Sequence, residues 1–595
     1  MQLWSSGHPW RVWRPCSWAL ALLLPLLCVN GSAAAQEIPL PSDSAPGLII
    51  QHDTQPWALP GTGPGAETQP GNAAPSPEVE RTLPEVELEP EVPEAPRPPA
   101  AVSVRDIVLD QCPLLSKRRA GRLIAGYRDR TLTFEQVQAL ADALSDLYVS
   151  DGYLNSQVYV PMQTLTDGVL TLRCQETRIG GIILEDARWF GRRAVMPRLG
   201  QASGDVFNIK PWVRSLRHIN ENPDLKLRLV LRAGDEAGTS DLVLKPETRF
   251  PVHVTPYWDN LGRENIGNFR LGATVVHNNL LGFGDTLSTS YHQTTRSNGI
   301  SAQYGLPVGP YGTQLGLTYA YSHIRLSGDL APLKIRSEAQ IFSPTLHQPL
   351  YHSRRAEVSV DLALDFKNLK THLLDEPFHR DRIRDLRTSV QATLFDAWGR
   401  TAVDQELAIG LPWMDGTLGD SVLASKTGSG TRFIRFSGGL TRVNRLPLGM
   451  VGVVRGRYQF SPDRLVSAEQ FQSGGAFSTR GYNEGQVIGD SGYAASAEVY
   501  MPTPLMPPGW RLPKQTTPLR QALQWTAFAD VSQVATNQPE AGESRNETLL
   551  GVGFGIRLAL SRFVVGRLDV GFPLLKPWPL ESRPRLHLGL QSTLF

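Results

Sequence analysis

One tetrapeptide in the 595-residue sequence has the residue types of a nucleophilic active site. Residues 489–492 read Gly-Asp-Ser-Gly, which also surrounds the nucleophile of many serine proteases. Such catalysis needs a histidine that accepts the serine proton and an aspartate that orients this histidine. None of the 12 histidines stands in an Ala-Ala-His-Cys-like context. We therefore predict no catalytic residues and no enzymatic activity.

Two other groups of residues have the chemistry of metal or nucleotide sites. Asp375, Glu376, His379 and Asp381 could ligate a metal, but no rigid element is expected to fix them, so we expect a solvated loop. Residues 551–555 (Gly-Val-Gly-Phe-Gly) have the glycines of a dinucleotide loop, yet they lie within a strand pattern rather than between strand and helix. The sequence also lacks a phosphate-binding GxxxxGK[ST] loop. We expect no metal site and no cofactor.

The composition excludes further classes of function. The 59 lysines and arginines nearly balance the 57 aspartates and glutamates, whereas a nucleic-acid-binding protein normally has a strongly basic domain or stripe. We therefore predict no nucleic-acid partner. The four cysteines include no CxxC pair, which argues against a zinc ribbon or a thioredoxin-like protein.

The first 100 residues indicate export followed by a linker. Residues 1–35 have the basic start, apolar stretch and Ala33-Ala34-Ala35 cleavage site of a secretory signal peptide. Residues 36–100 contain 15 of the 46 prolines, and 11 acidic residues against two arginines, which predicts a disordered linker. Cleavage would leave Cys112 and Cys174 in an oxidising compartment. A disulfide between them and two free thiols remain equal alternatives.

Residues 101–250 contain the pattern β-α-α-β-β twice, which predicts two small domains over residues 101–176 and 177–250. In the first, a strand is expected at 102–109, helices at 116–127 and 134–148, and strands at 156–160 and 169–173. In the second, the corresponding segments are a strand at 179–184, helices at 192–199 and 211–219, and strands at 225–231 and 241–244.

Residues 251–595 change to strands of about ten residues in which apolar residues alternate with polar or small ones, as in residues 357–366. Such alternation is typical of a strand with lipid on one face and water on the other. About 16 such runs follow the signal, and no stretch reaches the ~18 apolar residues of a membrane-spanning helix. The predicted fold class is mainly β: an antiparallel transmembrane β-barrel of about 16 strands over residues 251–595, preceded by the two small βααββ domains.

Motifs along residues 101–595 resemble those of a known family. They are residues 151–170 (Asp-Gly-Tyr to Asp-Gly-Val-Leu), 220–223 (Asn-Glu-Asn-Pro), 238–242, 259–285, 474–490 with Arg480-Gly481-Tyr482, and Phe528-Ala529-Asp530. Taken in order, these motifs are similar to those of the outer-membrane transporters of two-partner secretion, the TpsB family, with two POTRA-like domains. Two positions depart from the family pattern. Thr479 replaces the usual Val, and Ser532 replaces a frequent Gly.

The resemblance implies a translocator of the bacterial outer membrane. It would bind an unfolded exoprotein through the POTRA-like domains, with residues 36–250 in the periplasm, and export it through the barrel without ATP. The implied partners are a large TpsA-like secreted protein bound in extended form, outer-membrane lipid and the barrel assembly machinery. An outer-membrane protein insertase of the same superfamily and a passive pore for small solutes remain alternatives.

The resemblance also implies the residues of the site. The loop tip Arg480, Gly481 and Tyr482 would fold into the barrel and meet the strand residues Phe528 and Asp530, where Arg480 and Asp530 would form a charge-assisted pair.

Substrate would be bound by addition of a strand to an exposed sheet edge. The edge candidates are residues 225–231 and 241–244, and the substrate-binding residues would be Leu225, Leu227, Leu229, Leu242 and Leu244.

Overall fold

The computed structural model describes residues 101–165, 167–503, 506–507, 509–511, 519–540, 543–561, 564–575 and 583–594. The predicted signal peptide and linker lie outside the described residues. No helix in the described part of the chain has the length and apolar character needed to cross a membrane.

The first small domain packs two helices against a three-stranded sheet. Its elements are β1 (Val102–Val104), β2 (Asp106–Asp110), α1 (Lys117–Ile124), β3 (Arg130–Leu132), α2 (Phe134–Asp151), β4 (Gln157–Tyr159) and β5 (Val169–Gln175). The predicted first strand is thus two strands, since β1 pairs with β3 while β2 joins β5. The Thr133 side chain accepts a hydrogen bond from the Gln136 backbone, the Gln136 side chain accepts one from the Thr133 backbone, and together they start α2 as a capping box.

A disulfide joins Cys112 to Cys174 in this domain. Cys174 lies on β5, the central strand of the sheet, and Cys112 lies in the segment between β2 and α1. The bond therefore connects the start of the domain to its last strand, 62 residues later.

The second small domain repeats the arrangement. Its elements are β6 (Arg178–Leu184), α3 (Arg192–Val195), α4 (Ile209–Asn220), β7 (Leu225–Ala233) and β8 (Thr239–Thr248). The strand order is β6-β8-β7, so that β8 is central and β6 and β7 are the edges. The apolar faces of α4 and the sheet enclose the fully buried Trp212.

Sixteen antiparallel strands close into a barrel, which confirms the predicted fold class. In chain order the remaining strands are β9 (Val252–Asp259), β10 (Arg270–His277), β11 (Thr286–Gln293), β12 (Ser297–Val308), β13 (Thr313–Arg325), β14 (Arg336–His352), β15 (Ala356–Leu373), β16 (Glu376–Phe395), β17 (Gly399–Gly410), β18 (Ile434–Arg445), β19 (Val451–Phe460), β20 (Phe471–Ser473), β21 (Val487–Gly489), β22 (Ser491–Pro502), β23 (Leu523–Ala535), β24 (Asn546–Ser561), β25 (Val564–Pro573) and β26 (Arg585–Ser592), with the short helix α5 (Leu519–Ala522) before β23. The last strand, β26, pairs with β9 and closes the wall.

Two strands in this region stand apart from the wall. β20 and β21 pair only with each other, within residues 461–490, which connect β19 to β22. We call residues 461–490 the lumen loop. We call the end of the barrel where β9 begins the near end, and the opposite end the far end. The lumen loop leaves the wall at the far end.

The second small domain contacts the near end of the barrel. Asp224 accepts hydrogen bonds from the Asn278 side chain (2.7 Å) and contacts His253 (2.8 Å). The Asn279 side chain donates to the backbone oxygen of Trp189. Asp224 and Asn278 are both buried. These contacts fix the domain under the mouth of the barrel.

Candidate functional site

The lumen loop brings Arg480 to the inner wall of the barrel, where it meets Asp530 of β23. Nε and Nη2 of Arg480 donate to Oδ2 and Oδ1 of Asp530 over 2.7 and 2.6 Å. The backbone N–H of Arg480 donates to the same carboxylate over 3.0 Å. Both side chains are almost fully buried. Such bidentate, charge-assisted pairs have fixed geometry as well as strength.

Two further wall residues complete the surroundings of Arg480, and the sequence analysis did not identify them as contacts. Nη1 of Arg480 lies 2.5 Å from Oε1 of Glu498 on β22, and Nη2 donates to the Ser496 hydroxyl over 3.0 Å. The guanidinium also lies 3.5 Å from the centroid of the Phe528 ring, as a cation–π contact. The Phe528 and Asp530 side chains share one strand face, as their spacing predicts.

Gly481 and Tyr482 fix the rest of the tip. Gly481 has φ +96°, and a Cβ on it would lie 2.8 Å from the backbone nitrogen of Pro573, so both its conformation and its close approach favour glycine. The Tyr482 hydroxyl is 2.9 Å from the backbone oxygen of Leu550 and 2.7 Å from that of Leu575. The tip therefore lies against β23, β24 and β25 at once.

Glycines of β24 make room for the tip. A Cβ on Gly551 would overlap the backbone oxygen of Arg480, and one on Gly553 would overlap the Phe528 ring. The glycine run that superficially resembles a nucleotide loop is thus the inner surface on which the lumen loop rests. Alternate glycines on a lumen-facing strand surface were the available sequence signal.

We expect Gly551→Ala to release the tip without changing any charge. The added methyl group meets backbone, which cannot move aside as a side chain can, and overpacking of this kind costs about 1–3 kcal/mol. Tryptic cleavage after Arg480 in the folded protein should rise about tenfold, measured by mass spectrometry of the fragments.

The matched control is Gly456→Ala on β19, where a Cβ meets nothing within 4 Å. It should leave cleavage after Arg480 unchanged. Equal cleavage in wild type and Gly551→Ala would show that the methyl group is accommodated.

The two departures from the family pattern contact each other. The hydroxyl oxygens of Thr479 and Ser532 are 2.7 Å apart, and both residues are fully buried. Each hydroxyl therefore supplies the partner that the other needs in a buried position. The Val and Gly that are usual at these positions would need no such bond.

A second attachment, which sequence reasoning missed, holds the lumen loop to β15–β18, a part of the wall separate from β22 and β23. Glu469 of the loop lies 2.7 Å from Lys367 of β15 and also pairs with Arg435 of β18. Arg435 and Lys367 continue to Glu406 (2.9 Å) and Asp385 (3.1 Å). All five side chains are buried, so these charges are compensated inside the barrel rather than by bulk water.

The lumen loop is thus held to the barrel wall by two ionic attachments, at Arg480 and at Glu469. Ion pairs in a lumen can be exchanged for water when the loop moves, whereas an apolar plug would expose hydrophobic surface. The arrangement suits an element that stays in place until something displaces it.

The side chains of the predicted substrate-binding leucines are not exposed to a substrate. Leu225, Leu227 and Leu229 on β7, and Leu242 and Leu244 on β8, are buried in the core of the second small domain. The prediction of an edge at residues 241–244 was wrong, because β8 is the central strand. Strand order depends on which segments pair in space, which alternation within one segment does not reveal.

β7 does form an edge, and part of its backbone is available. The Asn220 side chain bonds the N–H and C=O of Leu227, so these groups point away from β8. The backbone groups of Leu229 and Leu231 point the same way, because an antiparallel ladder alternates in steps of two. Lys226 and Arg228 are exposed beside them.

The remaining candidates have structural explanations. Glu376, His379 and Asp381 lie on β16 rather than in the expected loop, and Asp381 is buried. Among the described residues no group of three or more His, Cys, Asp or Glu side chains could hold a metal ion. Asp490, the last residue of the lumen loop, accepts backbone hydrogen bonds from Leu465 near the start of this loop and from Asn537 after β23. It therefore orders the place where the loop meets the wall.

Comparison with known proteins gives one consistent match. The sequence profile of the haemolysin secretion/activation proteins ShlB/FhaC/HecB matches residues 238–558, and that of the ShlB-type POTRA domain matches residues 102–177. The chain is 23% identical to the outer membrane transporter CdiB of Dickeya dadantii, over 80% of this chain and 83% of that protein. It is 22% identical to the heme/hemopexin transporter protein HuxB of Haemophilus influenzae, over 64% and 69%. The solved structure of CdiB from Escherichia coli has the same fold, with a TM-score of 0.65, 21% identity and coverage of 85% and 93%.

Proposed function

The chain belongs to the haemolysin secretion/activation protein family ShlB/FhaC/HecB, and on that premise we propose that its lumen loop is the gate through which one exoprotein leaves the cell. The transporters of this family lie in the outer membrane and export TpsA-like exoproteins by two-partner secretion, and this chain is such a transporter. The resemblance read from the sequence is thereby confirmed.

We assign the near end of the barrel to the periplasm and the far end to the cell exterior. The support is the position of the two small domains, which precede the barrel in the chain, and the contact of the second one with turns at the near end. The exoprotein would therefore meet these domains before it enters the lumen. Outer-membrane lipid around the wall and the barrel assembly machinery during insertion complete the proposed partners.

The exoprotein would be caught as an extended chain at the edge of β7. Backbone hydrogen bonds to Leu229 and Leu231 bind a strand with little demand on its sequence, which suits an unfolded protein. The adjacent Lys226 would favour acidic or neutral segments, whereas Arg228 is paired with Glu247.

A photo-crosslinking amino acid in place of Arg228 should capture the exoprotein during export. The same amino acid at Ile183, which is exposed on the opposite edge strand β6, is the matched control and should capture at least several-fold less. Mass spectrometry of the cross-linked products measures the capture at each of the two positions. Equal capture at the two edges would contradict binding at β7.

Transport would proceed by displacement of the lumen loop and not by an enzymatic step. The periplasm offers no ATP, so the free energy must come from folding of the exoprotein outside the cell. The observation that carries this proposal is the buried Arg480–Asp530 pair at the tip of a loop that occupies the lumen. An open lumen would suit the passive pore better, and an insertase would act on many barrel proteins instead of one exoprotein.

The deciding experiment compares bacteria with and without this gene, by mass spectrometry of the culture supernatant and of cell-surface proteins. Loss of one very large exported protein, with the other outer-membrane proteins intact, is the expected result, and it identifies the cargo. Simultaneous loss of many barrel proteins would make the chain an insertase. No loss of any exported protein, under several growth conditions, would favour a passive pore.

A further inference from the structure

The outer face of β13 to β16 carries an ordered series of cross-strand rows. Tyr319, Phe342 and Phe366 are direct neighbours in one row, which ends at Arg384 of β16. Tyr319 and Phe342 are each 45% exposed. Ile383, adjacent to Arg384, packs inside the barrel with Leu465 of the lumen loop. Because side chains alternate between the faces of a strand, the row containing Arg384 lies on the outside.

The next two rows toward the far end are polar and basic. Asn368 faces Arg382 across β15 and β16, and Lys370 faces Arg380. Together with Arg384 these residues line a cavity of about 280 Å³ beside the loop between β17 and β18. We call it the rim pocket, lined by Asn368, Lys370, Arg380, Arg382 and Arg384.

The charges of the rim pocket are only partly compensated. Asp415 pairs with Arg382, and Glu338 lies across the strand pair from Lys370. Among the described residues, no carboxylate lies within ion-pair distance of Lys370 or Arg380. Arg384 is fixed in place, because its Nη2 donates to Asn368 (2.9 Å) and its Nε to the backbone of Met414 (3.2 Å). Four cations thus face two carboxylates.

The rim pocket lies at the level along the membrane normal at which lipid headgroups are expected. Leu394, at the near end of β16, is ten residues from Arg384. At a rise of ~3.4 Å per residue and a tilt of ~40°, these residues span about 25 Å along the membrane normal. A barrel's apolar band is about 25 Å tall and is bordered by aromatic residues. The aromatic row below the rim pocket therefore marks the far-end border of the lipid.

We propose that the rim pocket binds a phosphate group of the outer-leaflet glycolipid, the phosphorylated glucosamine lipid of lipopolysaccharide. Arginine and lysine side chains bind phosphate oxygens by charge-assisted hydrogen bonds, and basic pockets at membrane borders select anionic headgroups. The acyl chains would lie on the aromatic row and on Leu364 and Leu386 beneath it, which are cross-strand neighbours on the same face. A soluble phosphate would make no contact with that apolar surface.

The bound lipid would also brace the wall against the lumen loop. Lys367 and Asp385 of the second attachment lie on the same two strands, β15 and β16, with their side chains on the inner face. A headgroup that joins β15 to β16 on the outside thus acts on the strands that hold Glu469 on the inside.

The test titrates the full-length protein in detergent with hexa-acylated lipid A that carries two phosphates, and measures bound lipid by native mass spectrometry. The variant Lys370→Gln/Arg380→Gln should bind about thirtyfold more weakly than wild type, since each of the two basic residues near a charged surface contributes about 1 kcal/mol. The control Arg354→Gln/Arg355→Gln removes two exposed charges from the near-end turn and should bind like wild type.

Three results would overturn the proposal: equal binding of lipid A by the two double variants, equal binding of fully dephosphorylated lipid A by wild type, or displacement of lipid A by millimolar inorganic phosphate. Equal binding by the variants would show that Lys370 and Arg380 do not belong to the site. Equal binding of dephosphorylated lipid A would show that only apolar contacts hold the lipid. Displacement by phosphate would indicate a soluble phosphate ligand. Thermal unfolding of each variant checks that the barrel is intact. This test does not depend on export.

Discussion

Export of the exoprotein should fall at least tenfold when Arg480 is replaced by alanine, while the barrel still assembles in the outer membrane. The change leaves Asp530 buried without its cation, whereas Glu498 keeps Arg455, and breaking a buried pair in this way costs about 3–5 kcal/mol. The wall retains its strand pairing, because Arg480 belongs to the lumen loop and not to a wall strand. The measurement is the amount of secreted exoprotein divided by the amount of assembled transporter, both determined by immunoblot.

The control is Arg432→Ala, which removes an exposed arginine from another far-end loop and should leave export unchanged. Heat-modifiable migration on gels reports barrel assembly in both variants. Normal export by a normally assembled Arg480→Ala protein would show that the docked tip only stabilises the barrel. A parallel loss of assembly and export would point the same way.

A covalent lock between the tip and the wall should abolish export reversibly. The Thr479 and Ser532 hydroxyls are 2.7 Å apart, so Thr479→Cys/Ser532→Cys places two thiols in contact in an oxidising compartment. If the lumen loop must leave its place, the oxidised variant should export less than a tenth of the wild-type amount, and a membrane-permeant reductant should restore most of it. Secretion assays before and after reduction measure this.

Each single cysteine variant is a matched control, because it loses the hydroxyl pair without gaining a lock. The native Cys112–Cys174 bond is present in all the proteins compared, so its reduction affects them equally. Undiminished export by the locked protein would mean that the substrate passes beside a loop that stays docked. In that case the lumen loop would be a fixed constriction and not a gate. The family assignment would be unaffected.

The two variants separate strength of attachment from freedom of movement. Arg480→Ala weakens the attachment, and the double cysteine variant makes it permanent. A gate is impaired by both changes, because it needs a closed position as well as a release from it. If the docked tip is a purely structural brace, neither change lowers export per assembled transporter.

Much of the architecture follows from local pattern. The alternation in residues 357–366 predicts one face for lipid and one for the lumen, and this period recurs until the barrel closes. The capping signal at Thr133 places the start of α2 at the predicted residue. Alternation and caps are properties of neighbouring residues, so the sequence is sufficient for them.

The contacts of the site are of another kind. Arg480 is 50 residues from Asp530 and 18 from Glu498, and only the resemblance to a family implied the first pair. Local sequence patterns did not predict the other contacts of the lumen loop. These are the contacts of Glu469 with Lys367 and Arg435, of Thr479 with Ser532, and of the tip with Gly551.

The sequence by itself therefore determined the class of barrel, the small domains and the segment that carries the tip. Only the tertiary structure decided which strands are edges, as Leu242 and Leu244 on the central strand β8 show. It also decided which charges meet inside the lumen and which, such as Lys370 and Arg380, gather at its outer rim. The physical reason is that a periodic pattern fixes the face on which a side chain lies, whereas strand order and closure of the barrel fix its neighbours.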